Sequence, residues 1–292
     1  MERRQLSPLA DPVFKRVFGE EKEILMELIN AIIGLEHPVV HIDYLPPELL
    51  PESNGEKTTI VDVRCIDDLN RHFIVEMQLV PQEDLQKRVF FNATRVYGRQ
   101  IGKGINYREL QPVYALCFVD HVLYHETERW KHKYVIINEE DPNRKITEME
   151  LHFIELSKCR KRKDINFTDP LDRWVKFFID PSFVKKASME STFDYPNLKK
   201  AVKLLDESNY TEGQLIAYDN YLASVMSWNT TMMHQFDEGK AEGRVEGIEE
   251  GKAQEREKFF AIIRDLKADI STEEIARKYQ VEVELVERLR DV

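Results

Sequence analysis

Asp62, Glu76 and Gln78 stand within "IVDVRCIDDLNRHFIVEMQLV", residues 60–80. Two short apolar runs flank the turn-like "DDLNR", and each run carries a carboxylate. Side chains alternate between the two faces of a strand. On the second run Phe73, Val75, Met77 and Leu79 then face one way, and His72, Ile74, Glu76 and Gln78 the other. On the first, Val61, Val63 and Cys65 oppose Asp62 and Arg64. A hairpin of the two therefore projects Asp62, Glu76 and Gln78 from one side. Carboxylates at short range repel unless positive charge lies between them. Mg2+, or Mn2+ in its place, answers that need, because it binds carboxylates and keeps waters that can attack a phosphate. Alternation alone describes equally well a half-exposed hairpin with an ordinary polar face.

The flanking elements must hold those acids. "DPVFKRVFGEEKEILMELINAII" repeats apolar residues at helical spacing, predicting a helix over about 12–33, breakable near Gly19 and ended at Gly34. "VVHIDYL" reads as a strand and the Pro-rich "PPELLPESNGE" as a loop. After the hairpin comes an amphipathic helix, "EDLQKRVFFNATRVYGRQI", then "QPVYALCFVD", an apolar run of buried-strand length. Further strands are expected at "KYVII" and "MELHFIEL", and mostly helix from residue 166.

The helix after the hairpin is the natural substrate contact. Residues 87–108 hold Lys87, Arg88, Arg95, Arg99, Lys103 and Arg108 and no acid. Arg88, Asn92, Arg95 and Arg99 fall on one stripe, with Tyr97 and Gln100 nearby as hydrogen-bonding groups. Such a stripe, directed at the hairpin, meets backbone phosphates. Its bland alternative is a solvated basic face, with Phe90 and Phe91 helping to dock the helix. "KCRKRK" at 158–163 is a second basic run, a loop that either meets DNA or stays solvated.

Composition narrows the classes. With 292 residues, 42% hydrophobic and 33% charged, the chain has material for a core domain and a well-solvated helical appendage. A net charge of −11 argues against non-specific coating of nucleic acid but leaves room for a local basic groove. Cys65, Cys117 and Cys159 form no CxxC pair and fit buried thiols in a reducing compartment. "MERRQLSPLADPVFKRVF" lacks an apolar signal region, and no apolar run nears the roughly 20 residues that span a bilayer, so a soluble cytoplasmic protein is expected. "IGKGIN" is too short for a phosphate loop, "HETER" is not HExxH, and no GxSxG occurs. His121 and His125 are expected on a loop surface.

"EGKAEGRVEGIEEGKAQERE" places Gly239, Gly243, Gly247 and Gly251 four apart, each costing a helix about 1 kcal/mol relative to Ala. A solvated, partly helical linker and a close helix–helix contact in an oligomer both fit. "STEEIARKYQVEVELVERLRDV" opens with a capping-box pair, Ser271 and Glu274, and continues as two short helices. The expected organisation is a core over 1–235, helical from about 166, a Gly/Glu segment at 236–257 and a helical pair at 258–292.

Taken together, "DPVFKRVFG", "LINAII", "VDVRCIDDLNRHFIVEMQ", "RVFFNATRVYGRQIGKGINYREL" and "PVYALCFVD" resemble the Rpn family of recombination-promoting nucleases and transposases, within the PD-(D/E)XK superfamily. The resemblance covers about residues 1–235. It implies an α/β restriction-endonuclease-like core, αβββαβ, with a central mixed sheet flanked by helices and a helical C-terminal extension. It implies a Mg2+-dependent DNA endonuclease, linked to recombination or transposition; a homo-oligomer is expected as well, through the glycine repeat. Asp62 corresponds to the motif aspartate and Glu76 to the second acid, and the two would hold the metal with help from the Met77 carbonyl and Gln78, the third catalytic residue. Gln78 stands where the general pattern has Lys, and an amide cannot carry that charge. Asp11 and Lys15, one helical turn apart, flank the site by the same resemblance; otherwise Asp11 is an N-cap and Lys15 is solvated. The rival readings are a weak or inactive DNA-binding or assembly protein of the same fold, and a purely structural interaction module.

Overall fold

The computed structural model describes residues 4–49, 58–102, 106–190 and 194–290. The chain divides into two compact units, Met1–Ser227 and Trp228–Val292. In the first, helices α1 (Asp11–Gly19) and α2 (Lys22–Ile33) occupy the expected helical stretch, which does break after Gly19. Gly34 closes α2 at φ 67°, a left-handed position that a side chain resists. Strands β1 (Ile42–Tyr44), β2 (Glu48–Leu49), β3 (Thr59–Ile60), β4 (Val63–Asp67) and β5 (His72–Gln78) follow. Helix α3 (Leu85–Gly98) then leads to β6 (Val113–Val119), β7 (Lys131–Ile137) and β8 (Lys145–Glu155). The stretch read as a Pro-rich loop contains β2, paired with β3; its residues 50–57 lie outside the described residues.

Six strands form one mixed sheet in the order β1-β4-β5-β6-β8-β7. β4 and β5 are antiparallel, β5 runs parallel to β6, and β6 parallel to β8. A parallel neighbour requires a crossover, and α3 is that crossover. The α/β reading with a central mixed sheet flanked by helices holds.

Both faces of the central strands are covered, while β7 at the sheet's edge stays largely open. Phe73, Val75, Tyr114, Leu116 and Phe118 enter the larger core, with Val13, Phe14, Val17 and Phe18 of α1 and Leu25, Leu28 and Ile32 of α2. Helices α4 (Leu156–Cys159), α5 (Pro170–Ile179), α6 (Pro181–Ala187) and α7 (Pro196–Leu204) follow the sheet. Trp174, Phe177 and Phe178 of α5 join Phe14, Phe18 and Phe118 in a ring cluster with centroids 4.7–6.4 Å apart. Each such fully buried side chain contributes about 1.5–3 kcal/mol. The opposite face meets Leu85, Val89, Ala93 and Val96 of α3 through Ile74, Ala115, Cys117 and Val119. The half-exposed hairpin is therefore excluded: only Gln78 of β5 is more than marginally exposed. All three cysteines are buried and free.

Val61 departs from the expected alternation. It sits in the α3-side core, whereas Val63 and Cys65 sit in the other. The chain bends at residues 61–62, between β3 and β4, and the period of two fails there.

Helix α8 (Glu212–Lys267) carries all four glycines of the repeat, so that segment is helical. In the second unit, α9 (Thr272–Tyr279) and α10 (Val283–Arg290) close on α8 through Ile262, Ile275, Ala276 and Val286. Ser271 accepts the Glu274 amide at 3.3 Å, capping α9. The turn between the two short helices uses Gln280 at φ 52° in place of glycine. Among the described residues no helix is long and apolar enough to cross a membrane.

Candidate active site

The bend at 61–62 makes the site. β4 and β5 pair Val63 with Val75, and two more residues of that ladder would set Val61 opposite Met77. Instead, Val61 donates its amide to the Pro47 carbonyl at 3.1 Å. The Met77 N–H, which the β4 backbone no longer meets, is taken by the Asp62 carboxylate at 2.7 Å. In an extended strand a residue's N–H and C=O point to the same side, so the Met77 carbonyl is directed there too. Asp62 is thereby fixed to β5 beside Glu76 and only 19% exposed.

α1 supplies a cation. The Lys15 ammonium lies 2.8 Å from Asp11 and 3.7 Å from Asp62. Asp11 is not an N-cap: it opens α1 after Ala10 and pairs with Lys15. Burial disfavours the Lys15 charge, but the bond to Asp11 and the charges of Asp11 and Asp62 outweigh it, and its pKa rises. Tyr221 of α8 lies near the pair: the charges of Asp11 and Asp62 add to burial in raising its pKa.

α3 supplies the other wall. Glu76 is nearly enclosed, its side chain 7% exposed. Arg88 donates to Gln78 at 2.7 Å, reaches Glu76 at 3.4 Å and also bonds Gln82. The Asn92 amide donates to Glu76 at 3.2 Å, and its own buried carbonyl oxygen finds no partner among the described residues. The Gln78 amide is held at both ends, donating to the Val80 carbonyl at 3.0 Å while accepting from Arg88.

The electrostatics favour a cation. Burial lifts Asp62 to about 7; the Met77 amide opposes this, the negative charges of Asp11 and Glu76 reinforce it, and Lys15 pulls back. Burial likewise raises Glu76 against Arg88 and Asn92. Two enclosed carboxylates that resist ionisation, with an orphaned carbonyl oxygen alongside, fit a divalent cation, which repays desolvation that Lys15 and Arg88 leave uncompensated. Among the described residues no cluster of three or more His, Cys, Asp or Glu side chains offers a metal site. A cation held by Asp62 and Glu76 therefore needs carbonyl or water oxygens as well, a donor set that suits Mg2+.

The remaining expected residues scatter. Asn92 is buried, and Arg88, Arg95 and Arg99 are half-buried, so the stripe faces the sheet more than solvent. Arg95 lies over the Phe91 ring at 5.8 Å. Arg99 is close enough to Arg64 of β4 to depress its pKa further after burial has done so. Tyr97 donates to Glu148 at 3.3 Å, and Gln100 exchanges two bonds with the Gln111 backbone at 2.8 and 2.9 Å. Those two brace the C-terminal end of α3. Lys103 lies outside the described residues. Phe90 and Phe91 do not dock the helix; they are 50% and 52% exposed.

The run at 158–163 is largely spent within the protein. Lys158 is buried against Glu155 at 2.7 Å, Arg160 pairs with Asp120, and Arg162 pairs with Asp172 and Asp164 over the Trp130 ring. His121 is half-buried rather than on a loop surface, and His125 is exposed. Gln82 and Tyr221 escaped sequence reasoning. Tyr221 carried a faint signal, since it shares a helical face with Tyr218 three residues before it.

This geometry has a counterpart among known families. The family model for PD-(D/E)XK nuclease family transposases matches residues 8–233. The chain belongs to that family. The PD-(D/E)XK match spans the whole sheet, both walls of the site and the start of α8. No curated protein and no solved structure matches the chain.

Proposed function

We propose that this PD-(D/E)XK protein is a metal-dependent DNA endonuclease that serves recombination or transposition. The observation that carries the reading is the enclosed Asp62–Glu76 pair at the end of β5, walled by Lys15 on one side and Arg88 on the other. Asp62, Glu76 and the Met77 carbonyl would hold Mg2+ or Mn2+. Such an ion supplies a nucleophile by lowering the pKa of water and offsets charge on the phosphoryl group.

The chain's own groups do the rest. Asp62 ties one oxygen to Met77, and the other, which Lys15 approaches at 3.7 Å, would hold the cation. Lys15 brings to the site the positive charge that Gln78 lacks, within reach of a phosphate oxygen. Gln78 fixes the Arg88 guanidinium, and Arg88 both partners Glu76 and faces the incoming backbone. Arg95 and Arg99 extend the positive charge along α3. The α8 glycine segment serves self-association.

A second reading, a DNA-binding or assembly protein that does not cut, draws on Gln78. Its amide is engaged at both ends and offers no base. Nicking of supercoiled plasmid in Mg2+, run beside binding in EDTA, separates the two. Cleavage abolished by EDTA supports the first reading; binding without cleavage at any divalent concentration supports the second.

A further inference from the structure

Beside the proposed site lies an aromatic slot that the cleavage chemistry does not use. It holds about 350 Å3, near the lower end of ligand pockets at about 300–1,000 Å3. Phe90 and Lys87 of α3 form one wall, Tyr134 and Ile136 of β7 the other, and Leu151 and Phe153 of β8 the floor. Phe90 and Tyr134 are 50% and 44% exposed, large ring surfaces left open to solvent. Tyr134 stands edge-on to Phe153 with centroids 5.8 Å apart, which fixes its plane, and its hydroxyl bonds that of Tyr124.

The sheet ties the slot to the carboxylates. Glu76 pairs in register with Cys117, and Cys117 with Phe153. One row across the sheet thus carries the proposed metal ligand at one position and the slot's floor two strands away, about 10 Å at the usual strand spacing. α3 crosses above that row, setting Arg88 against Glu76 and, half a turn on, Phe90 over the slot. At about 3.4 Å per nucleotide of a stacked strand, about 10 Å is a separation of roughly three nucleotides or fewer.

We infer that the slot binds a nucleobase of the DNA strand being cut, within about three nucleotides of the scissile phosphate. The inference rests on the nuclease reading and adds its substrate class: single-stranded or locally unpaired DNA. Flat rings with open faces suit a base, and the Gln86 amide and Tyr134 hydroxyl at the wall can meet its edge. Lys87 at the rim suits the phosphate that follows. A base inside an intact duplex cannot enter, so unpairing must precede or accompany binding.

The test compares full-length wild type with Phe90→Ala and Phe90→Leu, in EDTA, on a single-stranded oligonucleotide, the same sequence with one abasic nucleotide moved along it, and its duplex. Thermal unfolding confirms that both variants fold. Losing one stacked base should weaken wild-type binding about tenfold at one abasic position. Phe90→Ala should bind the intact strand about tenfold more weakly, lose nothing further at that position, keep the wild-type salt dependence and bind duplex unchanged. Phe90→Leu should fall between. Equal affinity of wild type and Phe90→Ala for the single strand overturns the inference and leaves the nuclease reading standing. A shift of oligomeric state in Phe90→Ala by sedimentation overturns it in favour of a contact between copies. Tight, Phe90-dependent binding without cleavage sustains the slot while the nuclease reading falls. A wild type that binds no DNA in any form ends both.

Discussion

The Asp62 carboxylate accepts the main-chain N–H of Met77 at 2.7 Å. One side chain thus completes a β ladder and offers an oxygen to the proposed cation. The two roles separate on substitution. Asp62→Asn keeps an acceptor for Met77 and removes the charge, so it should not cut, and it should unfold near the wild-type temperature at about pH 4 and above it at neutral pH, where the folded state holds the wild-type charge at a cost. Asp62→Ala should also fail to cut and lose a further 1–3 kcal/mol or so, the cost of an unmet buried donor. Plasmid nicking with thermal unfolding checks both; an Asn variant that cuts at the wild-type rate refutes the assignment.

Glu76→Gln should abolish cleavage and, without divalent ions, stabilise the fold at neutral pH. Burial raises the Glu76 pKa despite Arg88 and Asn92, so the folded state holds that charge at a cost. Denaturant melts in EDTA at pH 7.5 measure the change; a large loss of stability would make Glu76 a structural partner of Arg88.

Stability should depend on pH through Asp62. Its ordinary value is 3.8 and its folded value about 7, so between them the folded state binds the extra proton. The contribution is full below about 3.8 and is lost as pH rises to about 7. Comparing wild type with Asp62→Asn in EDTA across pH 4–8 isolates the slope. Added Mg2+ should stabilise wild type most at the upper end, where no proton competes with it.

Arg95→Gln should weaken duplex binding by a similar factor on unrelated sequences and flatten the plot of log K against log salt by about 0.9, the value of one phosphate contact. Arg88→Gln should do the same and also impair cleavage, because Arg88 holds Gln78 and partners Glu76. Salt titrations on two duplexes decide. An unchanged slope would mean that this part of α3 does not touch the backbone.

A chain ending after Gln235 should retain cleavage and cooperative unfolding while losing self-association. The family match already ends at residue 233. Sedimentation and plasmid nicking check it; loss of cleavage in a folded core would make the second unit part of the catalytic machinery.

Regular periods were legible and irregular ones were not. β5 obeys strict alternation because both its faces are covered, so Glu76 and Gln78 were oriented correctly from spacing alone. Val61 was misplaced because a bend has no period. The polar stripe on α3 was real, but its solvated alternative left out Glu76, which draws Arg88 and Asn92 inward. Phe90 and Phe91 looked like docking residues because aromatic side chains are usually buried, and an exposed pair contradicts that expectation only in three dimensions. Lys15 and Asp62 are joined by tertiary packing across 47 positions, a distance over which no local rule operates.

The far end of the first unit holds its beginning in place. Leu6 donates to the Leu205 carbonyl, Gln5 bridges Asp206, and Ser7 donates to the Tyr218 hydroxyl. These ties fix the segment from which α1 extends, and α1 brings Lys15 to Asp62. On a ribosome adding roughly 5–20 residues per second, they arrive about ten to forty seconds after Lys15 itself. Both acids are synthesised early, but the segment that leads into α1 gains these ties only once most of the first unit has been made.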